Sequence, residues 1–254
     1  MTNREKYRFD DFTLSNYSRL LDLALENGYV FSDYSLQSDE QNNRREIIWR
    51  HDVEFSVHKA LKMAMIEADK GIKAHYFVQL HCEFYNTFER EIYELLMQIR
   101  DLGHYICLHF DAHFWQVDSK DKLELYLERD KNILEDLLEI KISSFSFHNT
   151  TPQLLALDDL YYAGILNVYA KAIRSKYSYC TDSTGIWRFE RLEDVLMDST
   201  IKYLQVLTHD GMWQDEAMSP RQRVFACIDG RAQKVKILYD ECLLQLGQKN
   251  IEDV

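Results

Sequence analysis

Two apolar runs of this sequence end in side chains that can bind metals or move protons. The first, Ile47-Ile48-Trp49, leads into Arg50, His51, Asp52 and, past Val53, Glu54. The second, Tyr105 to Leu108, leads into His109, Asp111 and His113. His109 and His113 are four apart, a spacing from which two imidazoles reach one ion off a helical turn or a tight bend. Asp52 and Glu54, two apart, share one side of an extended backbone. Two carboxylates so placed repel each other unless a cation or a proton lies between them. Two imidazoles and one carboxylate leave a coordination position open on a bound ion. That is the arrangement of a hydrolytic site, where the ion acidifies water and polarises a carbonyl.

The same punctuation recurs along the chain. His81, His148 with Asn149, Asp182, and His209 with Asp210 all follow apolar segments. Most of the nine histidines therefore stand just past candidate strands, where a sheet of parallel strands would gather them at one edge. His58, His75 and His104 lie elsewhere and read as structural.

The elements that must position these residues alternate. Asp10 to Asn27 has helical spacing and is capped by Asp11 or Thr13, with Gly28 as its stop. Gln37 to Arg45 is a solvated polar loop. A strand at about Glu46 to His51 precedes a helix opened by Ser56 and closed by Gly71. Ala74 to Leu80 is extended, Phe88 to Leu102 helical, and Tyr105 to Phe110 extended. Ser119 opens a long amphipathic helix, and Ile142 to Phe147 is extended. Further on, Gln153 to Tyr162 is expected to be helical, Leu166 to Tyr169 and Tyr177 to Thr181 extended, and Leu192 to Asp198 helical. Tyr203 to Thr208 is a strand, and Glu216 to Leu246 is mostly helix. This succession of βα units predicts an α/β fold with a largely parallel sheet. With about seven strands, a distorted (β/α) barrel is the expected closure, with the site at the C-terminal ends of the strands. One domain over residues 1–254 is expected, with residues 1–45 as an N-terminal helical extension packed on it.

Bulk composition excludes several classes. The 254 residues include 46% hydrophobic side chains, enough for a large core, and only 2 prolines, so no linker stands out. The formal charge of −12 argues against nucleic acid or an anionic membrane as the main partner. No apolar run approaches membrane-spanning length, and Met1 to Arg8 lacks the apolar core of a signal peptide. Five cysteines without CxxC spacing read as free thiols of a reducing, cytoplasmic setting.

The stretches RHDVEFSVHKALKMAMIEADKGIKAHYFV, IRDLGHYICLHFDAH, SFHNTTP and LQVLTHDGMW together resemble the polysaccharide deacetylase superfamily. This is the NodB-homology, carbohydrate esterase family 4 group, in its cytoplasmic branch tied to surface-polysaccharide synthesis. The resemblance runs from about Ile47 to Trp213. It implies a distorted barrel and metal-dependent removal of N-acetyl groups from sugars. Carried over by motif, Asp52 is the base, Glu54, His109 and His113 hold the ion, and His209 is the general acid. Arg50, His148, Asn149, Asp182, Trp187 and Trp213 form the substrate-facing set, with Asp182 orienting the acid. The ion together with a backbone N–H near the first motif would stabilise the oxyanion.

Two departures stand out. Glu54 takes the place of an aspartate one methylene shorter, and Val53 separates the two carboxylates, which leaves Asp52 open to either role. The cofactor implied is one divalent ion, zinc first, with Co, Ni, Fe or Mn also suited. The partner implied is an N-acetylated sugar, sugar nucleotide or glycan, and a homo-oligomer is left open. The alternatives are a hydrolase of another amide or ureide C–N bond on the same barrel, and a degenerate saccharide-binding member without turnover.

Overall fold

The structure, a computed structural model, describes residues 1–34 and 44–251. In chain order it contains α1 (Asn3–Tyr7), α2 (Leu14–Glu26), β1 (Tyr29–Phe31), β2 (Arg45–Val53), α3 (Val57–Asp69), β3 (His75–Gln79), α4 (Arg90–Asp101), β4 (Tyr105–Phe110), α5 (Lys120–Leu138) and β5 (Ser144–Phe147). There follow α6 (Pro152–Leu155), β6 (Tyr161–Tyr162), β7 (Ile165–Asn167), α7 (Lys171–Lys176), β8 (Ser178–Thr181), α8 (Leu192–Met197), β9 (Tyr203–His209) and α9 (Pro220–Gln245). The loop expected at Gln37 to Arg45 lies, up to residue 43, outside the described residues.

The strands form one sheet in the order β6-β7-β5-β4-β3-β2-β9-β8, with β1 paired to the start of β2. Every pairing is parallel except the short β6–β7 hairpin. The sheet curls into an α/β half-barrel. It is not closed, since no ladder among the described residues joins β8 to the β6–β7 end. In the N-terminal segment α2 packs in the helix layer and β1 pairs with the start of β2.

Alternation along β2 sorts its side chains onto two faces. Ile47, Trp49 and Val53 pack with the apolar sides of α2 and α3 in the main core, together with Tyr76, Val78, Ile106 and Leu108. Ile48 instead meets Phe77, Cys107 and Leu166 inside the curl. Arg50, Asp52 and Glu54 share the inner parity of Ile48. Helix starts follow the expected chemistry, with Thr13, Ser56 and Ser119 each accepting a backbone N–H of the first turn.

One element departs from expectation. The helix expected at Gln153 to Tyr162 lasts only from Pro152 to Leu155. The buried Asn167 amide donates to the carbonyls of Leu157 (3.0 Å) and Asp159 (3.2 Å), holding that stretch open. Ala163 and Gly164, both at positive φ, then turn the chain into the β6–β7 hairpin.

Candidate metal centre

The parallel register brings the C-terminal strand ends level. Asp52 stands beside His209 on β9, and Gln79 on β3 beside His109 on β4. His109 in turn pairs with Ser146 on β5, two residues before His148. Chemically active residues far apart in sequence thus meet at one rim.

At that rim Glu54 Oε1 lies 2.9 Å from His109 Nε2 and 2.9 Å from His148 Nδ1, and the two ring nitrogens are 3.2 Å apart. Among the described residues, this is the one group of three or more His, Cys, Asp or Glu side chains so clustered, its ligand atoms all within 4.8 Å of one another. His113 is not part of it. Asp111 Oδ1 accepts the N–H groups of His113 (2.9 Å) and Phe114 (3.0 Å), turning the chain away from the rim. The His113 ring donates instead to the Asn149 carbonyl, 2.7 Å from its Nε2. The second imidazole therefore comes from β5, not from the next turn after β4.

The donor set fits a cation. His109 Nδ1 is 2.7 Å from the Ser146 hydroxyl, so a proton on Nδ1 leaves the Nε2 lone pair directed at Glu54. His148 Nε2 is 2.8 Å from Asn149 Nδ2, an amide N–H that donates to it and leaves the ring proton on Nδ1. Binding an ion at Nδ1 would require the amide to turn and offer its oxygen to Nε2. With the ring protons on His109 Nδ1 and His148 Nε2, three lone pairs would converge on one position that a positive ion could share. When the two rings carry their protons on the Glu54 side, they donate to it instead. Burial works against a charged Glu54, but these hydrogen bonds more than offset it and hold the carboxyl well below its usual range. The His148 ring is raised in spite of burial, by the same carboxylate.

Asp52 lies just beneath. Its Oδ1 accepts from Ser146 Oγ (3.2 Å), and Oδ2 is 3.8 Å from His109 Nδ1. Ser146, which is fully buried, thus bridges a ring of the cluster and the neighbouring carboxylate. Arg50 was expected to face substrate but is fully buried, donating to the Tyr169 hydroxyl (2.7 Å) and, at 3.4 Å, to Asp52 Oδ2. It supports Asp52 from below.

On β9, His209 Nδ1 is 2.6 Å from Asp182 Oδ1. Burial disfavours a charged ring, yet the Asp182 carboxylate overrides it and pushes His209 up to about 10. Asp182 Oδ2 also accepts the His209 N–H (3.1 Å) and the Trp213 indole N–H (3.0 Å). The two tryptophans expected to face a sugar do not. Trp213 is 0% exposed in a stack with Phe12 and Tyr17, and Trp187 packs on Phe12. Both belong to the core layer behind the rim, where their aromatic area is spent on packing.

In sequence Asp210 is one of the polar residues that follow an apolar strand. Its carboxylate accepts the backbone N–H groups of Glu54 (2.7 Å), Phe55 and Ser56, which fixes the turn carrying Glu54. Burial raises its pKa to about 6 against these three donors. The same bonds use up the N–H groups expected to serve an oxyanion. Gly211 completes the clamp, since a Cβ there would lie 2.6 Å from Phe55 Cβ.

A cleft of about 940 Å³ opens over Asp52, Glu54 and His209, walled by Tyr169, Tyr179 and Phe189. On the other side of Glu54 and His148 is a smaller depression of about 250 Å³, bounded by Gln79, Glu83 and Phe84. The cluster is therefore reachable from solvent, as a hydrolytic site must be.

No protein-family model matches the chain, and no curated protein matches it. Among solved structures it is similar to a family 4 carbohydrate esterase from Bacillus anthracis, at 18% identity over 84% of this chain and 85% of that one, with a TM-score of 0.45. It is also similar to the chitin deacetylase of the fungal pathogen Colletotrichum lindemuthianum, at 13% identity over 73% and 81% of the two chains, TM-score 0.45. A third similar structure is a CE4 family pseudoenzyme from Bacillus anthracis, at 14% identity over 76% of this chain and 63% of that one, TM-score 0.41.

Proposed function

We propose that the protein is a metal-dependent hydrolase that removes an N-acetyl group from a sugar or sugar-linked intermediate. The observation that carries this reading is the convergence of Glu54, His109 and His148 at a solvent-reachable rim, with Asp52 and His209 on adjacent paired strands. A divalent cation held by those three side chains would supply the positive charge that polarises an acyl oxygen and acidifies water.

The remaining work falls to residues of this chain. Asp52, steadied by Arg50 and the Ser146 hydroxyl, accepts the proton of the water that attacks the acetyl carbon. His209, kept protonated by Asp182, donates to the sugar nitrogen as its bond to the acetyl carbon breaks. Tyr169, Tyr179 and Phe189 offer ring faces to the sugar. The five cysteines are all free, which supports a reducing, cytoplasmic setting and a soluble substrate such as a sugar nucleotide. No helix of the described residues is long and apolar enough to cross a membrane.

A panel of N-acetylated sugars and sugar nucleotides, assayed for acetate after reconstitution with Zn, Co, Ni, Fe or Mn, tests the reading. At least one substrate should release acetate with the wild type, and Asp52→Asn should lower that rate by about a thousandfold. Absence of acetate from every member at stoichiometric metal would reject it.

A further inference from the structure

Helix α9 runs for 26 residues, about 39 Å. Only Arg223 and Cys227 of it are buried. Its body-facing side ends at Arg231, which pairs with Glu89 at 2.9 Å, and Lys234, 3.2 Å from Glu91. A different stripe runs along its open flank: Phe225, Ile228, Ala232, Val235, Tyr239, Cys242 and, at the cap, Leu246. The steps are three and four in strict alternation, the a/d repeat of a two-helix seam. Phe225 is 46% exposed, Ile228 42%, Val235 47% and Tyr239 60%. A continuous apolar band of this kind marks an interaction surface.

We propose that this stripe pairs with the same stripe of a second copy of the chain, the two helices antiparallel about a two-fold axis. Charge and side-chain size select that arrangement. In a parallel pair, the partner's Lys236 at position e would meet Arg231 at g, a cation already paired with Glu89, and would gain no counter-charge. In the antiparallel pair, e positions face each other, and Asp229 lies opposite the partner's Lys236 twice over. Neither Asp229 nor Lys236 has an ion-pair partner within the described residues. The a/d layers then set Phe225 against the partner's Cys242, Ile228 against the partner's Tyr239, and Ala232 against the partner's Val235. Two of these layers join a large side chain to a smaller one, and the third packs two modest ones. A self-complementary patch related by a two-fold is the commonest way for a chain to cover such a face.

Sedimentation equilibrium of the full chain tests the pairing, with circular dichroism confirming that each variant is folded; the altered positions are exposed. The wild type should be dimeric at micromolar concentration. Asp229→Lys should raise the dimer dissociation constant about tenfold, and adding Lys236→Asp should restore it. Phe225→Cys puts a thiol opposite the partner's Cys242, so mild copper–phenanthroline oxidation should crosslink that variant and spare the wild type. Crosslinking of the wild type through paired Cys242 residues would overturn the antiparallel arrangement. A wild type that stays monomeric at about 100 μM would overturn self-pairing and leave the stripe to another protein.

Discussion

The two faces of β2 carry similar residues and put them to different ends. On the outer face, His51 Nε2 donates to Glu67 Oε1 at 2.7 Å, and the hydroxyls of Tyr17 and Tyr76 also donate to that carboxylate. His51 Nδ1 meets the Thr208 hydroxyl at 2.7 Å. His104 joins through its own bonds, Nδ1 accepting from the Ala74 N–H and Nε2 donating to the Ala64 carbonyl. His51 and Glu67 are 0% exposed. On the inner face, Glu54, His109 and His148 aim donor atoms at one another beside an open cleft. Histidine and carboxylate in company therefore do not by themselves mark a site. The outer cluster is saturated by protein partners and closed to water, whereas the inner one has ligand atoms in excess and a way in.

That contrast predicts where substitutions will be felt. The largest effect on stability belongs to the outer cluster. Glu67→Ala would strand two tyrosine hydroxyls and the His51 ring in the layer between sheet and helices, at a cost of about 3–5 kcal/mol in chemical denaturation. Metal stoichiometry of the folded fraction should be unchanged. The pH dependence follows from the same group. Burial favours neutral Glu67, but the His51 and His104 rings and the Tyr17 hydroxyl win and hold its pKa below the usual value. Its contribution is present above the unfolded-state carboxylate pKa and is lost as pH falls through the lower folded value, so acid unfolding of the wild type should be steeper than that of Glu67→Gln.

The next effect belongs to the acid on β9. Asp182→Asn removes the carboxylate that raises His209, and kcat should fall by about a hundredfold. The sign of the pH shift is fixed: a raised pKa keeps the donor protonated until high pH, so the alkaline limb of the rate profile should move down by at least about one unit in the variant. Stability should change less than in Glu67→Ala if the role is chemical. An unmoved limb would make Asp182 a structural anchor for Trp213 alone.

The smallest effect belongs to Ser146. Ser146→Ala frees the His109 ring to turn and takes a hydrogen bond from Asp52, and should weaken metal affinity about tenfold, in the lower range for groups that orient ligands. Ser146→Thr, which keeps the hydroxyl, should recover most of that loss.

Much of the fold was legible because each strand is an apolar run followed by polar residues and each helix has its cap. The gathering of histidines at one rim followed from that pattern alone. The ligand set was harder to read because its members come from three strands. A four-residue spacing singled out His113, but a local spacing says nothing about which way the chain turns, and Asp111 turns it outward. The signal for His148 was present in Ser144-Phe145-Ser146-Phe147-His148, where polar and aromatic residues alternate with period two. On a strand whose phenylalanines face the helices, Ser146 and His148 must face inward. The roles of Asp210 and Trp213 were not legible, since both depend on loop geometry after β9 that no sequence period encodes.

Metal binding separates His148 from His113 most directly. Isothermal titration of metal-free protein with zinc, alongside elemental analysis, should give one ion per chain for the wild type. His148→Ala should lose tight binding by about a thousandfold, while His113→Ala should keep one ion and most of the affinity. The reverse order, with His113→Ala metal-free and His148→Ala fully loaded, would contradict the centre described above.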